Sequence, residues 1–198
     1  MGLLNKILGE AMVQAESYGL SKKYTYEQAL DVLLSPNPSA VELAKAENTL
    51  VMADKTTGSK AKRAVGVGLC KTYGLLTNAK TRDAQMNEAA GFLTDAAWIS
   101  TEEEDGSAME ALKQAMASDY AQRIGLADCL LHYMLEVKEE EGSDCIYLAC
   151  ANMYGWGVPV NTPLARELLE EVALPGFKEQ YHKGIYRLLA ELDEIESA

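Results

Sequence analysis

Leu148 to Gly176 reads LACANMYGWGVPVNTPLARELLEEVALPG, and the order of its glycines, prolines and apolar residues describes two helices joined by a tight turn. Gly155 and Gly157 can take positive φ at little steric cost, and Pro159 bars a simple continuation of the helix before them. Asn161 or Thr162 is a good N-cap for a second helix, with Pro163 in its first turn, where a missing N–H does no harm. Leu164, Ala165, Leu168, Leu169, Val172 and Ala173 then recur at helical spacing as one apolar stripe, which Pro175-Gly176 ends. The unit is a helical hairpin.

At these residues the chain resembles the Sel1-like repeat, a relative of the tetratricopeptide repeat whose units stack into an α-solenoid. The family's pattern runs Leu-Gly, a Tyr, a Gly-x-Gly-Val turn, an acidic or amide residue, then Ala, an aromatic and Ala-Ala. Leu148, Gly155, Gly157, Val158, Asn161, Ala165 and Val172-Ala173 fall in register, with Leu168 in the place of the aromatic. Ala149, Asn152 and Val172 depart from the family's Gly, Tyr and first closing Ala. The resemblance implies a scaffold that binds other proteins, without saying which.

One hairpin cannot bury its own apolar face, and about three are needed for stability. A second, degenerate unit runs from Leu69 to Ala97. Leu69 and Tyr73 keep the family spacing in its first helix, and Ala89, Phe92, Ala96 and Ala97 in its second. From Leu69 to Ala89 is 20 positions, against 17 from Leu148 to Ala165, so the connection is longer and of another shape. Tyr26-Glu27-Gln28-Ala29-Leu30 is a third trace. Ser39 to Ala53, Met109 to Ala117, Tyr120 to Val137 and Tyr181 to Ile195 carry apolar residues at three- and four-residue steps. Breaks are expected at Ser35 to Ser39, Lys55 to Ser59, Ser100 to Ser107 and Glu139 to Ser143. The expected fold is all-α, one α-solenoid domain over residues 1–198 with about nine or ten helices. Residues 100–107 are the one place for a subdivision.

A hydrophobic fraction of 48% and a charged fraction of 24% are those of an ordinary globular protein. Met1 to Met12 suits an amphipathic helix, but Asn5, Lys6, Gly9 and Glu10 interrupt any secretory core, and Lys6 breaks a myristoylation motif. No apolar run is long enough to span a bilayer. Cys70 and Cys150 read as small core residues rather than parts of a disulfide framework, so with Cys129 and Cys145 they fit a reducing cytoplasm. The net charge of −12 is unevenly spread. Residues 1–100 carry 11 Lys or Arg against 10 Asp or Glu, and residues 101–198 carry 7 against 20. An acidic second half argues against nucleic acid as its ligand and favours a protein with a basic or mixed surface. Acidity for solubility alone is the competing explanation.

No phosphate loop, zinc-protease helix or nucleophile elbow is present, and Gly66-Val67-Gly68 lacks a third glycine and a preceding strand. With His132 and His182 the only histidines, histidine-based catalysis is poorly supplied. Cys129, His132, Cys145 and Cys150 nominally offer four soft ligands, but a five-residue step on a helix does not put both thiols on one face. The runs Glu102 to Asp105 and Glu139 to Glu141 lack the alternation of a calcium loop. The expectation is therefore no enzyme, no metal and no cofactor.

Tyr147 lies about a hundred degrees round its helix from Leu148, toward the groove that solenoid curvature creates. Tyr154 and Trp156 flank Gly155 as either core cover or surface anchors, and Arg123, His132 and Tyr186 offer further contacts. Glu139, Glu140 and Glu141 would form an acidic rim that speeds encounter. These residues define an expected adaptor that grips a protein or peptide on a concave face. An acidic inhibitor or immunity-type protein capping a basic partner such as a nuclease is the alternative, and a hydrolase or metal-dependent enzyme a third.

Overall fold

In the computed structural model, which describes residues 23–75, 82–103, 106–137 and 144–198, every regular element is helical. Met1 to Met12 and Glu139, Glu140 and Glu141 lie outside the described residues. Eleven helices are present among those described, close to the nine or ten expected.

Local chemistry sets most of their ends. Helix α1 (Tyr26–Leu34) opens on a reciprocal cap, Thr25 accepting from the Gln28 N–H at 3.2 Å while the Gln28 side chain accepts from the Thr25 N–H at 3.0 Å. Ser39 and Glu42 repeat the device at the start of α2 (Ala40–Val51), after the Pro36 and Pro38 break. The short α3 (Ala53–Thr57) ends on Gly58 in the left-handed region, as the break at Lys55 to Ser59 predicts. Ser59 then caps α4 (Lys60–Thr72).

Helix α5 (Arg82–Glu102) packs closely against α4, so Leu69 and Ala89 to Ala97 fall on two packed helices. Leu69, Ala89, Ala96 and Ala97 are all buried. Gly66-Val67-Gly68, which has no phosphate-binding context, serves close packing. A Cβ on Gly68 would lie 2.6 Å from Leu93 Cγ, and one on Gly66 2.7 Å from Leu50 Cβ.

Helices α6 (Ser107–Ala117), α7 (Asp119–Ile124) and α8 (Leu126–His132, wound on as a π turn through Val137) follow. Apolar periodicity predicts one helix from Tyr120 to Val137. Gly125, at φ 66°, divides it in two. Helix α9 (Asp144–Tyr154) and helix α10 (Thr162–Glu167, continued as a π turn over Leu168–Ala173 and ending at Gly176) form the second hairpin, and α11 (Glu179–Ser197) closes the chain.

The packing centres on α5, which touches α4, α6, α8, α9 and α11. Its small residues Ala89, Ala90, Ala96 and Ala97 let five neighbours approach it. Buried Thr94 and Ser100 on the same helix donate to Ala90 O at 3.0 Å and Ala97 O at 2.7 Å, so neither hydroxyl is left unsatisfied. Arg187 of α11 donates to the Ser100 and Glu103 carbonyls, each at 3.0 Å, and so covers the C-terminal end of α5. The Glu103 carboxylate accepts from Ser59 Oγ at 2.6 Å and from the Ala61 N–H at 3.0 Å, covering the N-terminal end of α4. One continuous apolar core runs from Tyr26 to Leu192.

Candidate protein-binding site

The α9–α10 hairpin has the turn its sequence implies. Gly155 and Gly157 adopt φ 75° and 73°. Asn161 is the N-cap of α10, its side chain accepting from the Leu164 N–H at 3.2 Å, with Pro163 in the first turn. The Gly155 and Trp156 N–H groups return to Ala151 O at 2.9 and 3.0 Å, which ends α9 as a wound-back cap.

Tyr147 does not line a groove. It is fully buried, its ring 6.0 Å from that of Trp156, and its hydroxyl has no hydrogen-bond partner among the described residues. Burial pushes its phenol well above the ordinary tyrosine range. Its place on the helix wheel does not expose it, because α9 is covered by α5 as well as by α10. Cys145, Ile146, Ala149, Cys150, Ala151 and Met153 are buried with Tyr147, so no face of α9 is left for a ligand.

Trp156 is core cover, 7% exposed. Tyr154 packs against it at 5.1 Å and carries the Lys113 ammonium 4.9 Å above its ring. Lys113 pairs with Glu110 at 2.8 Å and also with Glu191. Desolvation would lower the Lys113 pKa, but hydrogen bonds to Glu110 and Glu191 outweigh it and hold the ammonium above the ordinary lysine value. Tyr154, Lys113 and Glu191 therefore form an internal network between α6, α9 and α11 rather than a docking patch.

The other expected contact residues are accessible but dispersed. His132 on α8 is exposed, with Nδ1 3.4 Å from Glu136. Arg123 on α7 lies 6.0 Å from the Tyr120 ring. Tyr186 on α11 is 57% exposed and meets His182 edge-on at 6.3 Å. Each of the three meets a neighbour on its own helix, and no contact among the described residues joins His132, Arg123 and Tyr186.

What the sequence reading missed lies on α10. Its apolar residues are two adjacent lines, not one. Ala165, Leu169 and Ala173 are fully buried, whereas Leu164 and Val172 are exposed and Leu168 is half-buried between them. The signal was available, since an apolar arc this wide exceeds what one packed neighbour covers. A second feature is a cleft of about 440 Å³ between the end of α5, α6 and α11, with Glu110, Glu191, Glu194 and Arg187 on its walls.

Cys70, Cys145 and Cys150 are buried and form no disulfide, and no group of residues suited to holding a metal occurs among the described residues. No helix among them is long and apolar enough to cross a membrane. No family model matches the chain, and no curated protein or solved structure matches it.

Proposed function

We propose that the chain is a non-enzymatic, cytoplasmic adaptor built on Sel1-like helical hairpins, which binds another protein through its acidic second half. The observation that carries this reading is the α9–α10 hairpin. Its Gly155 and Gly157 turn, its Asn161 cap and the buried Ala165 and Ala173 sit at the positions where the repeat pattern needs them. A repeat scaffold of this kind acts by presenting a fixed surface. The solenoid aspect of the reading rests on two such hairpins, α4–α5 and α9–α10, which meet where α9 packs on α5. The charge of residues 101–198, 7 basic against 20 acidic, selects a partner with a basic or mixed face.

That same charge favours one second reading, an acidic inhibitor that caps a basic site. Affinity capture from the native cell, followed by binding of the captured protein over a range of salt, tests both. An adaptor held by apolar anchors keeps most of its affinity as salt rises, whereas a charge-steered inhibitor loses association rate steeply. Failure to capture any protein with the full chain would count against both.

A further inference from the structure

Of the six most exposed large apolar residues among those described, three lie on α10 and its lead-in, namely Val160 at 59%, Leu164 at 38% and Val172 at 46%. With half-buried Leu168 they recur every fourth residue. Exposed apolar residues scattered singly need no explanation, but a line of them at helical spacing does. Within α10, from Leu164 to Val172, the line is also aligned by the backbone. From Leu168 to Ala173 the helix is wound as a π turn, and this wider turn keeps positions four apart nearer one straight row than an α-helix would.

The border of the row is acidic. Arg166 is the one basic residue of α10, and it is occupied by Glu170 at 3.1 Å, Asp193 at 2.6 Å and Glu196 at 2.7 Å on its α11 side. Glu167 and Glu171, on the opposite flank of the row, are exposed and form no ion pair with the described residues. An apolar row bordered by free carboxylates is complementary to one kind of segment, an amphipathic helix with an apolar stripe flanked by lysines or arginines.

We infer that the outer face of α10, Leu164, Leu168 and Val172 with Glu167 and Glu171, together with Val160 in its lead-in, is a docking surface for a basic amphipathic helix of a partner protein. This rests on the protein-binding reading above and gives it a place. Leu164 and Val172 are the anchors, and the two carboxylates hasten encounter and set the polarity of the partner's flank.

The test uses the full chain and two labelled peptides of about 18 residues, both amphipathic helices with a leucine stripe, one flanked by Lys and the other by Glu. The Lys-flanked peptide should bind, and the Glu-flanked one should bind at least about tenfold more weakly. Replacing Leu164 and Val172 together with Ser should weaken the Lys-flanked peptide by about tenfold or more with an unchanged helical spectrum, since both side chains are exposed. Changing Glu167 and Glu171 to Gln should slow association and flatten its salt dependence. Equal binding of the peptide to the Ser variant would overturn the assignment, and so would no binding to the unchanged chain. A chain that dimerises unless Leu164 and Val172 are replaced would overturn it too, by making the face a contact between copies. If a protein captured from the cell binds the Ser variant as well as the unchanged chain, this face is refuted while the adaptor reading stands. If no protein is captured at all, it is the adaptor reading that fails.

Discussion

A Cβ placed on Gly157 would stand 3.1 Å from the carbonyl oxygen of Ala127, and the residue's φ of 73° lies in the left-handed region. Two separate costs therefore meet at one position, backbone strain and collision with α8. Gly157→Val should destabilise the fold by about 1 to 3 kcal/mol, read as a lowered melting temperature, and an unchanged melt would mean that the turn does not need glycine there. Tyr147 supports the opposite kind of prediction. Its buried hydroxyl has no partner among the described residues, so Tyr147→Phe should leave stability unchanged or raise it by up to about 1 kcal/mol. Tyr147→Ala should instead cost about 3 to 5 kcal/mol by opening a cavity, which makes it a probe of the core and not of binding. A Phe variant that melts markedly lower would show that the hydroxyl has a partner after all.

At the scale of helices, what was legible in the sequence followed from local chemistry. Asn161, Pro163 and the two turn glycines act on their immediate neighbours, so their roles could be read without the fold. Tyr147 and the outer row of α10 could not be placed that way. Whether an apolar residue on a helix is core or surface depends on which sides of that helix are covered: α9 packs against α5 as well as α10, whereas α10, held by α9 and α11, leaves Leu164 and Val172 outside. Tyr120 to Val137 failed for a different reason, because one left-handed glycine ends a helix whose periodicity runs on across it. The crossing of α11 over α5 was equally hidden. Gly184 faces the backbone of Thr101, and a Cβ there would lie 2.4 Å from both the Thr101 Cα and its carbonyl oxygen. Backbone cannot yield as a side chain can. Gly184→Ala should therefore cost about 2 to 3 kcal/mol or more, and a melting temperature within a degree or so of the unchanged chain would refute the close crossing.

Across the whole molecule, phenols and a thiol buried in the core give stability a common dependence on alkaline pH. Burial raises Tyr26, Tyr147 and Tyr154 above the ordinary phenol range and, as the largest cause, pushes Cys150 up to about 12. Lys113 is raised as well. Each of these groups holds its proton more tightly in the folded chain than in the unfolded one. Their contribution is thus fully present below the ordinary thiol and phenol values, about 8.5 and 10, and is lost as pH rises through and beyond them. The melting temperature should be level near neutrality and fall steeply between about pH 9 and 11. A level profile across that window would mean that these groups are not buried together. The same molecule carries its acidity and its exposed apolar row in one half, and this coincidence underlies the functional account. Hydrogen exchange of the full chain, alone and with the protein it captures, reads that directly. The account predicts slowed exchange over residues 160–173, with the α4–α5 hairpin unchanged. Protection confined to residues 23–75 would contradict it.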